Sequence, residues 1–429
     1  MKTRGSRCPT KVPPWGTGVV LAVLAGLLWH PTAWGALRDS LLAQVSGERA
    51  YRHVVVLSRT IGPHPAGTPA DKASGDYIAS LLARWGYAVE WQAFTFPYFA
   101  VRRVALTVPS APALQFHPQV MRYSPSAPAG GISAPLVAAG TGRPEDFARV
   151  DARGKVALVR RGGLTFREKA ENAASAGAVA LLVYNSRPGP FAGTLGRAAR
   201  IPVLALPAEE GATLLGLLHS GPVSVRLDVE TEQEDRTTWN IVGTKRGTRE
   251  PHRVLVVGAH RDTVEGAPGA NDNSSGVATA LEVAEVLRSA PLPVTVQFVF
   301  FGAEEEGLFG SDYFVRHAGP DPIVGMVNLD MEGVGSRLVV ARFRGSEALV
   351  QLAARVAASL GIRVQVAQEG ASDHVNFERA GAPVVFIFRP DDPDYDTPRD
   401  TVDRVDPALL ETSARLALAV VLEVAGHGP

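Results

Sequence analysis

The C-terminal half of the chain carries its hydrophobic residues in short unbroken runs instead of an alternating pattern. Unbroken runs of this length indicate parallel strands that are buried on both faces of a sheet. The runs are Val254–Val257, Val294–Phe301, Ile323–Leu329 and Ala382–Phe388. Helical patterns lie between and after them, in Ser274–Ser289, Ser346–Leu360 and Asp406–Ala425. Helices that alternate with buried strands predict an α/β fold, with a mainly parallel sheet sandwiched by helices.

An earlier segment, from about 101 to 231, has a different character. It is rich in Pro, Ala and Gly, and its apolar segments are short. Its centre, Gly154–Asn185, predicts a strand, a turn, an Ala-rich helix and a second strand. We therefore expect a small α+β domain at 101–231, inserted into a larger domain formed by 36–100 and 232–429.

The first part of that larger domain contains an amphipathic helical pattern that ends at Gly86. Both the helical period and the terminal glycine are typical of such a helix. Its apolar positions are Tyr77, Ile78, Leu81, Leu82 and Trp85. The motif H-P-A-G-T-P-A precedes this helix, and we interpret its His64 as structural or as a residue at the rim of a site.

Polar and acidic residues follow the apolar runs of the C-terminal half. The motifs are G-A-H-R-D-T (Gly258–Thr263), G-A-N-D-N-S-S-G (Gly269–Gly276), F-F-G-A-E-E-E-G-L-F-G-S (Phe300–Ser311) and N-L-D-M-E-G (Asn328–Gly333). In open α/β sheets, ligands bind outside the carboxyl ends of the strands. We therefore expect five side chains to converge there, namely His260, Asp272, Glu304, Glu305 and Asp330.

Four carboxylates gathered at one strand edge need a compensating positive charge, because an uncompensated buried ion costs roughly several kcal/mol. Divalent metal ions supply that charge, and imidazole with carboxylate ligands suits zinc. A carboxylate that bridges two ions is a common device of metal-assisted hydrolysis. A further carboxylate, not bound to metal, must take the proton of the attacking water. The motifs therefore predict a metal-dependent hydrolase.

With these motifs in this order, the chain resembles the di-zinc aminopeptidases of the zinc exopeptidase superfamily. The resemblance implies a mixed sheet of eight strands and a site that holds two Zn²⁺ and acts on peptide substrates. It implies that His260 and Asp330 bind the first zinc, that Glu305 binds the second, and that Asp272 bridges them. Glu304 is then the general base, and Asp262 holds the ring of His260. Gly154–Asn185 resembles the protease-associated domain that is often inserted in such peptidases.

One motif departs from the family pattern. The family usually has Tyr-His-Thr-Pro-x-Asp-Thr, whereas this chain reads Y-D-T-P-R-D-T from Tyr395 to Thr401, which puts Asp396 at the position of the last zinc ligand. A second ion would then have oxygen ligands alone, which favours manganese or magnesium. The surplus negative charge should also raise the pKa of the bound water. We expect an active hydrolase with weaker zinc retention at the second site, a more alkaline activity profile, or a preference for manganese.

A further family-like stretch, S-D-H-V-N-F from Ser372 to Phe377, precedes the last predicted strand. The resemblance places Asp373 and His374 at the rim of the active site. We interpret His374 as a substrate-contacting residue or as a support for the metal ligands, with replacement of the missing ligand or a structural role as alternatives.

Other functions within the same superfamily stay open on the sequence alone. A carboxypeptidase-like hydrolase would need a cation for the terminal carboxylate, for which Arg389 is a candidate. A glutaminyl cyclase would lack ligands of the first site, whereas this chain keeps His260 and Asp330. A third possibility is a binding protein without catalysis, in which Asp396 marks the loss of activity.

Composition narrows the partner class. The chain of 429 residues is 46% hydrophobic and has a formal net charge of zero, which fits a globular enzyme with more than one core. A basic excess of the kind that nucleic-acid-binding proteins show is missing from the sequence, so nucleic acid is disfavoured as a partner.

The beginning of the chain has the layout of a secretory signal. Lys2, Arg4, Arg7 and Lys11 precede the apolar run Gly16–Trp29. Ala33-Trp34-Gly35 then offers a cleavage site before Ala36. Cleavage would give a secreted or periplasmic protein that lacks stable membrane association, and it would remove Cys8, the one cysteine. The alternative is an uncleaved signal that anchors the protein in the membrane.

Overall fold

The structure, a computed structural model, describes residues 31–427. The chain forms two compact units, one of which is interrupted by the other. The split unit comprises the chain up to Thr95 and from Thr237 onward, and the inserted unit comprises Phe96–Arg236. Most of the predicted signal (residues 1–35), together with Cys8, lies outside the described residues. None of the helices within 31–427 combines the length and the apolar character needed to cross a membrane.

The helices of the first half of the chain are α1 (Pro31–Leu42), α2 (Gly47–Val54), α3 (Pro69–Arg84), α4 (Pro144–Phe147), α5 (Phe166–Ser175) and α6 (Ala208–Ser220). A π-helical turn, Val55–Ile61, continues α2, and a 3₁₀ turn covers Val402–Arg404. The remaining helices are α7 (Ser274–Leu287), α8 (Phe309–His317), α9 (Ala348–Ser359), α10 (His374–Arg379) and α11 (Pro407–His427). The helices α3, α7, α9 and α11 correspond to the four that the helical patterns predict.

The strands up to the end of the inserted unit are β1 (Ala88–Thr107), β2 (Gln119–Val120), β3 (Ile132–Ala138), β4 (Val156–Arg160), β5 (Ala180–Tyr184), β6 (Val203–Leu206) and β7 (Ser224–Lys245). Those that follow are β8 (Glu250–His260), β9 (Val294–Phe301), β10 (Ile323–Asp330), β11 (Val339–Ala341), β12 (Gln365–Ala367) and β13 (Val384–Phe388). Each of the four predicted apolar runs coincides with, or overlaps, one of β8, β9, β10 and β13.

The sheet of the split unit has the strand order β12-β11-β13-β10-β8-β9-β7, and β1 pairs with β7. Its central strands β13, β10, β8 and β9 are parallel, and β11 and β7 pair with them in the antiparallel sense. Within the described residues, this is the mixed, mainly parallel sheet of eight strands that the family resemblance implies.

Side chains of the central strands alternate between two apolar layers. Leu255 and Val257 of β8 belong to a large core with α7, α9 and α11. Val254 and Val256 point to the opposite layer, which includes Phe314 of α8 and Phe377 of α10. Helices therefore cover both faces, which explains why the strands are apolar without interruption.

The inserted unit contains the parallel strands β3, β4, β5 and β6, with β2 antiparallel at the edge. The predicted strand, helix and strand of Gly154–Asn185 are β4, α5 and β5. Thr165 begins α5 with a capping box to Glu168, and Lys169 in its first turns is buried. The Lys169 ammonium group donates to the carbonyls of Thr141, Arg160 and Gly162. The predicted boundaries at 101 and 231 fall inside β1 and β7, so the compact unit extends beyond them on both sides.

Candidate metal centre

The acidic motifs meet at the carboxyl ends of the parallel strands. His260 is the last residue of β8, and Asp330 is the last residue of β10. Neighbouring strands are in register at this edge, since His260 pairs with Phe301 of β9 and Asp330 with Phe388 of β13. The backbone therefore brings the ends of four strands to one place, as sequence analysis predicts.

The side chains of this edge converge on His260. Its Nε2 lies 3.0 Å from Asp272 Oδ1 and 3.4 Å from Asp330 Oδ1. Potential ligand atoms form two groups, His260 with Glu304 and Asp330, and His260 with Asp272 and Glu305, and within each group they lie within 4.8 Å of one another. All five predicted residues are thus brought together, and they line a cavity of about 320 Å³.

The cluster concentrates negative charge in a buried place. Burial raises the pKa of Glu304 and that of Glu305 well above the ordinary value, and it raises the pKa of Asp272 to about 7, with neighbouring carboxylates adding to each effect. Burial alone would lower the pKa of His260, but the carboxylates of Asp330 and Glu304 outweigh it and raise that pKa well above the ordinary value. The carboxylates therefore strongly destabilise one another's charge in the protein alone.

The same cluster fits a pair of divalent cations. Glu305 Oε1 and Asp330 Oδ1 are buried and have no hydrogen-bond partner within the described residues. Buried polar atoms are rarely left without a partner, so these oxygens are free to act as ligands. One imidazole nitrogen with several carboxylate oxygens is a ligand set that zinc accepts.

Asp262 has a different partner from the one that the family resemblance implies. Nδ1 of the His260 ring lies 3.1 Å from the backbone carbonyl oxygen of Asp262, whereas the Asp262 carboxylate is 4.0 Å away. That carboxylate instead accepts the backbone N–H of Glu304 at 3.1 Å and that of Glu305 at 3.3 Å. Asp262 therefore fixes the turn that carries the two glutamates.

Asp400 holds the loop that carries Asp272 in the same way. Its two carboxylate oxygens accept the backbone N–H of Asn271 at 2.7 Å and that of Asp272 at 2.9 Å. The Asn271 side chain in turn donates to Asp392 and accepts from the backbone N–H of Gly333. Asp400 belongs to the Y-D-T-P-R-D-T motif, but the sequence does not indicate this role for it.

Asp396 lines the cavity but belongs to neither group of close ligand atoms. Its backbone is left-handed, with a φ of 59°, a conformation that aspartate tolerates better than most residues. Partial burial raises the pKa of its carboxyl group, and the carboxylate of Asp330 adds to this effect. The residue predicted as the last metal ligand is therefore beside the cluster and faces the same cavity.

Asp373 and His374 do not lie at the rim that sequence analysis predicts for them. Both side chains are fully buried, because the S-D-H-V-N-F stretch packs into the core beside β13. The His374 ring stacks on Phe386 with a centroid distance of 4.5 Å, and burial lowers its pKa to about 4. Both Asp373 carboxylate oxygens are buried without a hydrogen-bond partner within the described residues. Direct contact with a substrate therefore does not fit His374.

Arg389 and His64, the two other candidate residues, have partners inside the protein. Arg389 is buried, and its guanidinium group donates to the carbonyls of Glu332 at 3.2 Å and Gly335 at 3.4 Å. His64 is buried, and its backbone N–H donates to Thr263 Oγ1 at 3.0 Å. Arg389 therefore supports a loop of the sheet edge, and His64 is structural.

The rest of the cavity wall is apolar. Phe386 and Phe388 stack in parallel at a centroid distance of 4.2 Å and line the cavity next to the ligands. The His374 ring also stacks on Phe386, so it supports this wall from behind without lining the cavity. The remaining apolar lining consists of Met331, Gly370, Ala371, Pro390 and Tyr395. The cluster of candidate metal ligands thus borders a pocket suited to an uncharged side chain.

Comparisons with known proteins identify the family of the chain. The sequence pattern of peptidase family M28 matches residues 240–421, and that of the PA domain matches residues 132–214. Aminopeptidase YwaD of Bacillus subtilis (strain 168) is 36% identical over 395 residues, which cover 88% of this chain and 84% of that protein.

Two solved structures have the same fold over most of the chain. An aminopeptidase from Aneurinibacillus sp. strain AM-1 superposes with a TM-score of 0.80 at 31% identity, covering 90% of this chain and 96% of that one. BSAP, a zinc aminopeptidase from Bacillus subtilis, gives a TM-score of 0.71 at 34% identity, covering 89% and 95%. The chain therefore belongs to peptidase family M28, as its resemblance to the di-zinc aminopeptidases predicts, and it carries a PA domain inserted in the catalytic fold.

Proposed function

We propose that this protein is an exported aminopeptidase that hydrolyses the N-terminal residue from peptides with the help of two divalent metal ions. The observation that carries the proposal is the convergence of His260 with Asp272, Glu305 and Asp330 around buried carboxylate oxygens that lack a hydrogen-bond partner among the described residues. The similarity over most of the chain to an aminopeptidase and to a zinc aminopeptidase supports the same reaction.

In this proposal His260 and Asp330 would hold the first ion, Glu305 and Asp396 would hold the second, and Asp272 would be shared by both. When bound, the ions supply positive charge that polarises the scissile carbonyl and makes a water molecule more acidic. Burial and mutual repulsion raise the pKa of Asp272 and Glu305 in the protein alone. The positive charge of bound ions would offset that repulsion.

Glu304 takes the proton of the attacking water and delivers it to the leaving amine. Its carboxylate lies in the same group as His260 and Asp330, beside the place of the first ion. The hydrogen bonds from the backbone of Glu304 and Glu305 to Asp262 hold both side chains on one rigid turn. A general base must be held within reach of the proton that it takes, and this turn provides that fixed position.

The second ion is held less tightly than in a site with a histidine ligand. Asp396 adds a fourth carboxylate where the family usually has a neutral imidazole, so the ligands of that ion are all oxygens. Zinc gains less from oxygen ligands than from nitrogen, whereas manganese accepts them readily. We therefore infer a second site that exchanges its metal and works with manganese.

The proposal is tested with aminoacyl amides that carry a free amine and with their N-acetylated counterparts, in the presence of zinc or manganese. Glu304→Gln is the control, because it keeps the shape of the side chain but cannot carry the proton. Turnover of the free amines alone, lost in the control, is expected. Turnover of the acetylated compounds, or no turnover with either metal, would contradict an aminopeptidase and favour a different hydrolase or a binding protein.

Export rests on the basic and apolar layout of the first 35 residues and is tested separately. The native protein is recovered from the medium or periplasm, and its N-terminus is sequenced. A chain that begins at Ala36 is the expected result. A chain that retains the apolar run and sediments with membranes would instead support an uncleaved anchor.

A further inference from the structure

The residue between His260 and Asp262 is a buried arginine with its own network of partners. The Arg261 side chain is fully buried in the split unit. Its Nη1 donates to Asp71 Oδ1 and to the Asp71 carbonyl oxygen, both at 2.6 Å, and to Ser74 Oγ at 2.9 Å. Its Nη2 donates to Thr238 Oγ1 at 3.2 Å and to the carbonyl oxygen of Trp239 at 2.8 Å.

Asp71 closes this network. Its second carboxylate oxygen accepts the backbone N–H of Gly67 at 2.9 Å and the hydroxyl of Thr238 at 2.7 Å. Buried charges are tolerated when they are paired and when their remaining hydrogen-bonding atoms have partners. Both Nη atoms of Arg261 and both carboxylate oxygens of Asp71 meet that condition, whereas Nε of Arg261 is buried without a hydrogen-bond partner within the described residues. The geometry of the pair is fixed because a guanidinium fork offers several donors in one plane.

The network joins three segments that are far apart in the chain. Asp71 and Ser74 lie in α3, before the inserted unit, and Thr238 and Trp239 are among the first residues after it. Arg261 itself lies at the end of the strand that carries His260. The two parts of the split unit therefore meet at the residue next to a metal ligand.

The segment from 260 to 263 is held from several sides. The backbone N–H of Arg261 donates to the carbonyl oxygen of Phe301 at 2.8 Å, and the hydroxyl of Thr263 accepts from His64. Consecutive side chains of an extended backbone point to opposite sides. Holding the guanidinium on one side therefore restrains the backbone from which the His260 imidazole projects on the other.

We infer that Arg261 is a positioning residue for the metal centre, which acts through Asp71 and the two ends of the split unit to hold His260 in its metal-binding direction. This inference rests on the proposed metal-dependent function. It assigns a role to the first residues after the insert as well, since Thr238 and Trp239 complete the set of acceptors.

The test compares zinc affinity in the full-length protein. Arg261→Gln removes the charge and most donors, and zinc binding is measured by competition with a chelator of known affinity. Loss of a group that orients a metal ligand typically weakens binding by about 10- to 100-fold. We expect an effect of that size on the more tightly held ion. We also expect kcat to fall while KM stays within about twofold, because Arg261 does not line the cavity.

Arg49→Gln is the matched control, since Arg49 pairs with the buried Glu282 elsewhere in the split unit at 2.6 Å. It is expected to lower stability without changing zinc affinity. Arg261→Lys, which keeps the charge but loses the fork, is expected to fall between wild type and Arg261→Gln. A folded Arg261→Gln protein with wild-type zinc affinity would overturn the inference.

If Arg261→Gln does not fold, the double variant Arg261→Met with Asp71→Leu replaces both charges with apolar groups of similar size, an exchange that buried ion pairs often tolerate. Zinc affinity should stay low in that protein even though it is folded, and recovery of wild-type affinity would overturn the positioning role. Zinc titration requires no turnover. A wild-type protein that binds zinc but cleaves no peptide would therefore contradict the proposed function and leave this comparison intact.

Discussion

The carboxylate of Asp262 accepts the backbone N–H of Glu304 at 3.1 Å, and through its other oxygen it also accepts that of Glu305. A single buried side chain thus holds two consecutive peptide groups, and these carry the proposed general base and a proposed metal ligand. The same device recurs at Asp400, which holds the backbone of Asn271 and Asp272. Two aspartates therefore place three of the four acidic groups around His260.

Asp262→Asn tests the first of these contacts. The asparagine amide keeps one acceptor oxygen but turns an N–H group toward one of the two backbone donors, so the turn with Glu304 and Glu305 must shift. Small displacements of catalytic groups cost about 100-fold in rate. We expect kcat to fall by about 10- to 100-fold, measured on a free-amine aminoacyl amide. Asp76→Asn, on the exposed face of α3, is the control and should retain full activity.

Asp400→Asn should act on metal binding more than on proton transfer, because its contacts hold the loop of the proposed bridging ligand. Loss of one acceptor lets Asp272 move relative to His260, whereas the turn with Glu304 stays in place. We expect zinc affinity to fall by about tenfold for both ions. Metal analysis after dialysis against a chelator series measures this, and equal zinc content in Asp400→Asn and wild type would contradict it.

The strands and most of the clustered side chains follow from the sequence because His260, Glu304, Glu305 and Asp330 stand at or just after the ends of apolar runs, and parallel strands end at one edge. The hydrogen-bond partner of Asp262, in contrast, does not follow from the sequence. Its spacing from His260 indicates a role in the site, but spacing does not tell whether its partner is a ring or a peptide group. The backbone course of the Glu304 turn decides that.

Long-range contacts are the other part that the sequence does not disclose. Arg261 and Asp71 are 190 residues apart, with the whole insert between them, and neither stands in a pattern that indicates the other. The family resemblance of the S-D-H-V-N-F stretch predicts a place for His374 at the rim of the site. The aromatic residues of β13 instead give its neutral ring a buried stacking surface.

Replacement of Asp396 by histidine should restore the ligand set that the family usually has. Asp396→His removes one negative charge and adds a nitrogen ligand, and both changes favour zinc over manganese. We expect about tenfold tighter retention of the more weakly held zinc and an activity profile that shifts to lower pH. Zinc content after dialysis and a pH series of kcat measure the two effects, with the exposed Asp403→His as control. Unchanged zinc content together with an unchanged pH profile would contradict the proposal.

The apolar wall beside the ligands predicts a preference for bulky apolar N-terminal residues. Each buried methylene group contributes about 0.8 kcal/mol, so the three additional carbons of leucine contribute about 2.4 kcal/mol, and leucine should exceed alanine in kcat/KM by roughly 60-fold. Phe388→Ala should reduce this ratio, because Phe388 belongs to the wall next to Asp330.

Gly370→Ala tests the same wall from its other side. Gly370 has a φ of 78°, and an added Cβ would lie 2.7 Å from Phe386 Cε1. The substitution should therefore narrow the pocket and lower kcat/KM for leucine amide more than for alanine amide. Equal effects on both amides would show that this wall does not contact the side chain.

The stability of the split unit should decrease in acid because of His53. Burial lowers the pKa of His53 to about 4, and the nearby Arg52 and Arg49 add to this effect. Between that value and the ordinary pKa of about 6.5, the unfolded chain binds a proton that the folded protein does not, so stability rises with pH in this window and is lost as the pH falls. The full loss amounts to about 3 kcal/mol.

His53→Gln keeps a polar group beside the Tyr77 hydroxyl, to which Nδ1 of His53 lies at 2.7 Å, but it does not titrate. Urea unfolding from pH 4 to 7 should therefore show the wild type losing stability relative to His53→Gln, whereas the exposed His252→Gln should follow the wild type. If the free energies of unfolding of wild type and His53→Gln change with pH in parallel, then folding does not lower the pKa of His53 and the prediction is wrong.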